Sequence, residues 1–117
     1  MIAGIVSEDG VPQITVAIDG DDWPAIIDTG FNGDLELPEA LRGKVNARYA
    51  GRVSSALAGG QMIEEDAYLV EFPFDGELLG ATATFVEGAH VLVGTNLLRR
   101  HRLQIGFVSK LVELQRE

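Results

Sequence analysis

Short apolar stretches rich in Val, Ile, Leu, Thr and Phe, cut every few residues by glycine, constrain this chain more than any other feature. Fourteen of its 117 residues are glycine, and several stand in Asp-Gly or Gly-Gly steps that favour tight reversals. That texture belongs to a β-protein made of hairpins, with helix as the exception. Ile2 to Val6 is the first expected strand and runs into a turn at Ser7-Glu8-Asp9-Gly10. Gln13 to Ile18 then alternates with period two, as a half-buried strand does. After Asp19-Gly20-Asp21-Asp22 comes Trp23-Pro24-Ala25-Ile26-Ile27, an apolar strand that delivers Asp28-Thr29-Gly30 at its end.

Alternation resumes over Asp34-Leu35-Glu36-Leu37, and Pro38 suits the first turn of a short helix at Glu39-Ala40-Leu41. Ala47 to Leu57 and Gln61 to Phe72 form one long hairpin through Ala58-Gly59-Gly60, where glycine admits positive φ. A turn at Asp75-Gly76 leads to a strand over Leu78 to Val86. His90-Val91-Leu92-Val93 ends at Gly94, and a short helix is expected from Thr95 or Asn96 to about His101. Two strands, Leu103 to Phe107 and Lys110 to Leu114, close the chain. Ala25 to Gly30 and Val91 to Asn96 echo one another, each running an apolar strand into a small-residue turn.

Length and composition narrow the class. A chain of this size fits a single domain over residues 1–117, and 46% hydrophobic with 23% charged residues is the balance of a folded, water-soluble protein. No apolar run approaches the ~20 residues of a spanning helix. The N-terminus lacks the basic and apolar regions of a signal peptide, so a cytoplasmic location is the default expectation and no membrane partner is expected. Without cysteine there is no disulfide, thiolate nucleophile or Cys-ligated zinc. A formal charge of -9 repels phosphate backbones, which makes nucleic acid a poor partner. The basic run Arg99-Arg100-His101-Arg102 is expected to cap the dipole of the helix it ends.

Asp28 carries the chemistry. A carboxylate at the end of an apolar strand is costly to bury alone, by several kcal/mol. Thr29 and Gly30 supply a hydroxyl and a backbone able to turn sharply, so hydrogen bonds could hold that carboxylate at the mouth of a groove. Asp-x-Gly is also ordinary turn punctuation. The context strengthens it: Ala25-Ile26-Ile27-Asp28-Thr29-Gly30-Phe31-Asn32-Gly33 is followed about sixty residues later by Val91-Leu92-Val93-Gly94-Thr95-Asn96-Leu97-Leu98.

On these residues the chain resembles the retropepsin-like aspartic peptidases, in particular the small prokaryotic, single-lobe members. The resemblance implies an all-β fold, a closed barrel or sandwich with one short C-terminal helix and one lobe per chain. It implies Asp28 as the catalytic aspartate, Thr29 as a hydroxyl that locks two active-site loops together, and Gly30 as a backbone contact for substrate. It makes Leu57, Ala58, Gly59, Gly60 and Gln61 the tip of a flap over a bound peptide. Gly94 becomes the glycine that lets the Asp28 loop pack closely. Phe31, Asn32 and Val93 join the flap residues as expected substrate contacts. Phe31 departs from the retroviral pattern, which has a small residue there, and puts specificity in doubt.

Peptide hydrolysis by this route needs two carboxylates, one ionised to take a proton from water and one protonated to polarise the scissile carbonyl. The chain has a single Asp-Thr-Gly and no Asp-Ser-Gly. A two-fold homodimer that brings two Asp28 side chains together supplies the pair, and like charges that close share one proton. The expected partner is an extended peptide or protein substrate, with no metal and no organic cofactor. Strands at both termini, Ile2 to Val6 and Lys110 to Leu114, are expected to leave open edges that pair between copies. Two other readings compete: a dimeric module that binds an extended peptide without cutting it, and a structural β-subunit in which Asp-Thr-Gly only makes a turn. Glu64-Glu65-Asp66 reads as a solvated run on the hairpin. His90 and His101 lack metal-pair spacing, and Ser54 and Ser55 sit in no nucleophile elbow.

Overall fold

The computed structural model describes residues 1–117, and its ten strands form one sheet. In chain order they are β1 (Ile2–Val6), β2 (Pro12–Ile18), β3 (Asp21–Ile27), β4 (Leu35–Pro38), β5 (Ala47–Ala56), β6 (Met62–Phe74), β7 (Glu77–Val86), β8 (Val91–Val93), β9 (His101–Gly106) and β10 (Leu111–Arg116). Their spatial order is β5-β6-β7-β4-β8-β3-β2-β1-β10-β9. The sheet does not close on itself: β5 and β9 are its free edges, which corrects the expectation of a closed barrel. One 3₁₀ turn at Glu39–Leu41 follows Pro38, as the proline suggested.

No helix forms between Gly94 and β9. Residues Thr95 to Arg100 make tight turns instead, with the Leu98 N–H donating to the Thr95 carbonyl and the His101 N–H to the Leu98 carbonyl. Thr95 and Asn96 give their N–H groups to the carbonyls of Phe31 and Gly33, so the segment ties down the Asp28 loop. Leu97 and Leu98 are both buried, which anchors the turns in the core. The basic cluster at Arg99 to Arg102 therefore has no helix to cap. Its His101 instead lies inside the structure, 3.1 Å from the Asp75 carboxylate, which also binds the N-terminal amine and Arg116.

The echo between Ala25 to Gly30 and Val91 to Asn96 has a physical counterpart. β3 and β8 run side by side in parallel, Ala25 opposite Val91, Ile26 opposite Leu92 and Ile27 opposite Val93. Alternation sorts their residues. Ala25, Ile27, Val91 and Val93 enter the core with Leu35 and Leu37 of β4. Ile26, Leu92 and Glu36 face the other way, in neighbouring register.

The terminal strands are not open edges. β1 lies between β2 and β10, and β10 between β1 and β9, all antiparallel. Val112 and Leu114 of β10 are 1% and 0% exposed. The last eight residues thus carry a strand that contributes two side chains to the core. Burial of each such side chain stabilises by roughly 1.5–3 kcal/mol.

Candidate active site

β3 ends at Ile27, and the ladder continues for one residue: the Asp28 N–H donates to the Val93 carbonyl at 3.0 Å. The chain then turns back on itself. The Gly30 N–H donates to Asp28 Oδ1 at 2.9 Å, and the Phe31 N–H to the Asp28 carbonyl at 3.1 Å. Gly30 is suited to this close approach, because a Cβ there would stand 3.3 Å from Asp28 Oδ1. Asp28 itself is half-buried, on the same face as Ile26, Leu92 and Glu36. Thr29 and Gly30 are exposed.

The loop is fixed from behind by Gly94. A Cβ at that position would lie 2.2 Å from the Gly33 carbonyl oxygen and 2.7 Å from the Phe31 ring, so only glycine fits. The Thr95 N–H and hydroxyl both donate to the Phe31 carbonyl, at 2.8 and 3.3 Å. Asp34, a residue the sequence reading passed over, is the second anchor. Its carboxylate accepts the Thr82 N–H at 2.9 Å and the Asn96 amide at 2.7 Å, joining the loop to β7 and to the turn after β8.

Opposite the loop stands the β5–β6 hairpin. The Leu57 N–H donates to the Gln61 carbonyl at 2.7 Å, and Gly60, with φ of +84°, closes the turn. From Met62 to Ala67, β6 pairs only with β5, so this part of the hairpin is a two-stranded ribbon beyond the body of the sheet. A bulge between Tyr49 and Gly51 marks its base. There Tyr68 packs edge-on against Tyr49 and Phe85, and its hydroxyl accepts a hydrogen bond from Arg42.

Loop and ribbon enclose a cleft of about 600 Å³. Gly30, Phe31 and Asn32 line it from the loop and Leu57 from the ribbon. Ala58, Gly59 and Gly60 are exposed at the tip and do not line it. Val93 is a correction: it is wholly buried, so it holds the Asp28 strand through its carbonyl and presents no side chain to the cleft. Leu92 is the β8 residue on the outward face. A shift of one residue in reading a strand flips every side chain, and Val91 and Val93 as a core pair would have fixed the phase.

Glu36 and Glu65 also line the cleft. Glu36 is placed by alternation, since Leu35 and Leu37 on either side are buried. Burial pushes its carboxyl above the ordinary range, and the charges of Glu65 and Asp28 push the same way. Glu65 belongs to the run read as solvated, but it faces inward beside Ser55 while Glu64 and Asp66 point outward. Period two in the ribbon was the signal that separates it from its neighbours.

The sequence matches no protein-family model and no curated protein at a significant level. Solved structures match the fold. A retropepsin-like aspartic protease from Rickettsia conorii aligns over 97% of this chain and 89% of its own, with a TM-score of 0.65 and 18% identity. The protease of Simian Foamy Virus (mac) aligns over 74% of this chain and 91% of its own, at TM-score 0.58 and 18% identity. A foamy viral protease-reverse transcriptase, solved with an RNA/DNA hybrid, aligns over 82% of this chain at TM-score 0.63 and 17% identity. This chain covers only 13% of that longer protein. The fold of this chain is thus retropepsin-like.

Proposed function

We propose that the protein is an aspartic endopeptidase that works as a homodimer, with one Asp28 from each copy. The observation that carries this reading is the Asp28 carboxylate itself. It sits at the end of an interior strand of a retropepsin-like fold, accepts the Gly30 N–H, and adjoins a cleft roofed by a two-stranded ribbon.

The chemistry follows from a shared proton. The ionised Asp28 takes a proton from water as the water oxygen adds to the scissile carbonyl carbon, and the protonated Asp28 gives its proton to the carbonyl oxygen. The tetrahedral intermediate then collapses. Its C–N bond breaks as the nitrogen collects the first proton, and the second carboxyl regains its own from the gem-diol. An extended peptide would lie along the cleft with its backbone bonded to the ribbon and the loop.

Sheet register supports a second copy at this end of the molecule. Ile26 lies opposite Gln13, Gln13 opposite Ile5, Ile5 opposite Leu111, and Leu111 opposite Gly106. The exposed apolar side chains of Ile5, Leu111, Phe107 and Val108 therefore stand at the same end of the strands as Asp28. A monomer would leave them in water.

The test is to incubate the purified chain with a diverse peptide mixture between about pH 4 and 7, where a dyad sharing one proton is active. Cleavage is expected, and Asp28→Asn should abolish it without changing the dimer seen by sedimentation. No cleavage that depends on Asp28, from a dimeric preparation, would overturn the reading.

A further inference from the structure

The cleft beside Asp28 has an uneven lining. Its ribbon side carries the apolar side chains of Val53, Leu57, Met62 and Ile63, with the hydroxyls of Ser54 and Ser55 between them. Three carboxylates, Asp34, Glu36 and Glu65, line it beside neutral polar groups such as Thr82, Thr84 and Asn96, and no Lys, Arg or His is among the lining residues. Asp34 is already committed to Thr82 and Asn96. Glu65 receives only a long hydrogen bond from Ser55, at 3.4 Å. Nothing in the chain offsets Glu36, whose charge is opposed by burial, by Glu65 and by Asp28. Arg52, the nearest cation along the ribbon, is turned outward to Glu64 and Asp66.

A side chain that enters this space must satisfy both halves. An apolar group would fill the ribbon side and leave two carboxylates facing one another across a partly desolvated gap. An acidic group would add a further like charge. A long alkyl stem with a cationic end covers the apolar wall and brings its charge to the carboxylates, as lysine and arginine side chains do elsewhere. We propose that the cleft is a specificity pocket for a lysine or arginine of the substrate, selected by Glu36 and Glu65. The proposal rests on the peptidase reading for its substrate, a peptide, but its test does not depend on turnover.

That test uses Asp28→Asn protein titrated with matched fluorescent peptides, read by anisotropy. Each peptide carries Lys, Arg, norleucine or Glu at one position, and the position is scanned along the peptide. At one position Lys or Arg should bind about tenfold more tightly than norleucine, and Glu more weakly still. Glu36→Gln and Glu65→Gln, added singly and checked for folding by circular dichroism, should each cut that ratio to about threefold or less. The ratio should also fall with added salt. Equal binding of Lys and norleucine, a ratio untouched by both substitutions, or no binding of any peptide overturns the pocket. A cation preference without hydrolysis by the unsubstituted protein sinks the peptidase reading alone, and hydrolysis without a cation preference sinks the pocket alone.

Discussion

Gly94, just after β8, and Gly59, in the hairpin turn, stand on either side of the candidate site, yet their surroundings have little in common. A methyl group at Gly94 would stand 2.2 Å from a backbone oxygen, whereas one at Gly59 would meet nothing within 4 Å. The same contrast runs through the two regions they belong to. The Asp28 loop is held by the consecutive residues Val93, Gly94 and Thr95 and, through the Asp34 carboxylate, by Thr82 and Asn96. The ribbon from Gly51 to Ala67 is held only by its own ladder, with Leu57 and Met62 exposed near its tip. On the proposed peptidase reading, the firmly held region is the one where a proton moves, and the weakly held one is where a peptide enters and leaves.

Alanine substitutions at these glycines test that contrast most severely. Gly94→Ala forces backbone against backbone, which side-chain motion cannot relieve, and should cost about 3 kcal/mol or more in urea unfolding. Gly59→Ala should change stability by less than about 0.5 kcal/mol. Gly60→Ala falls between, at about 1 kcal/mol, because its φ of +84° strains any residue with a Cβ. Similar losses at Gly94 and Gly59 would break the comparison.

A smaller effect is expected at the second anchor. Asp34→Ala leaves the Thr82 N–H and the Asn96 amide without their acceptor and should cost about 2 kcal/mol, the scale for hydrogen bonds to a charged group. Amide exchange sharpens the point. Protection should drop at Thr82 and across the loop, with the ribbon unaffected. Uniform loss across the chain would mean that Asp34 holds the whole fold together and has no special bond to the loop.

Much of this arrangement was legible in the residues, and the failures share a cause. Strands were readable from local alternation, and the pairing of two like segments from the echo of Ala25 to Gly30 with Val91 to Asn96, whereas the role of Gly94 came only from the family resemblance. The turns that stand in place of a helix after Gly94 were not, since the segment is tied to Phe31 and Gly33, more than sixty positions away in sequence. Closure of the sheet and the fate of its edges depend on strand order, which no local pattern records. Val93 was expected at the substrate but is buried, because the outward phase of β8 falls on Leu92. Asp34 looked like strand lead-in, since its partners, Thr82 and Asn96, are distant in the chain. Glu65 was hidden in a run of three acids, and only the pleat tells one of them from the other two.

The gentlest test addresses the place where the two regions meet. Glu36 lies under the loop's side of the cleft and Glu65 on the ribbon, and Glu36 ionises less readily because of its burial and of the Glu65 charge. Because the folded protein holds the Glu36 proton more tightly than the unfolded chain does, it binds more protons in the window that opens at about 4.5, the ordinary value. Stability should therefore decline as pH rises through that window and stay lower above it. Glu36→Gln should flatten this slope and stabilise the protein at pH 7, by less than about 1 kcal/mol because the group is half in water and screened. Glu65→Gln should flatten it in part, provided the ribbon rests over the loop in solution. A slope that ignores Glu65→Gln but vanishes with Glu36→Gln would place the ribbon away from the loop for most of the time, and the cleft would then be formed only when a peptide draws the two regions together.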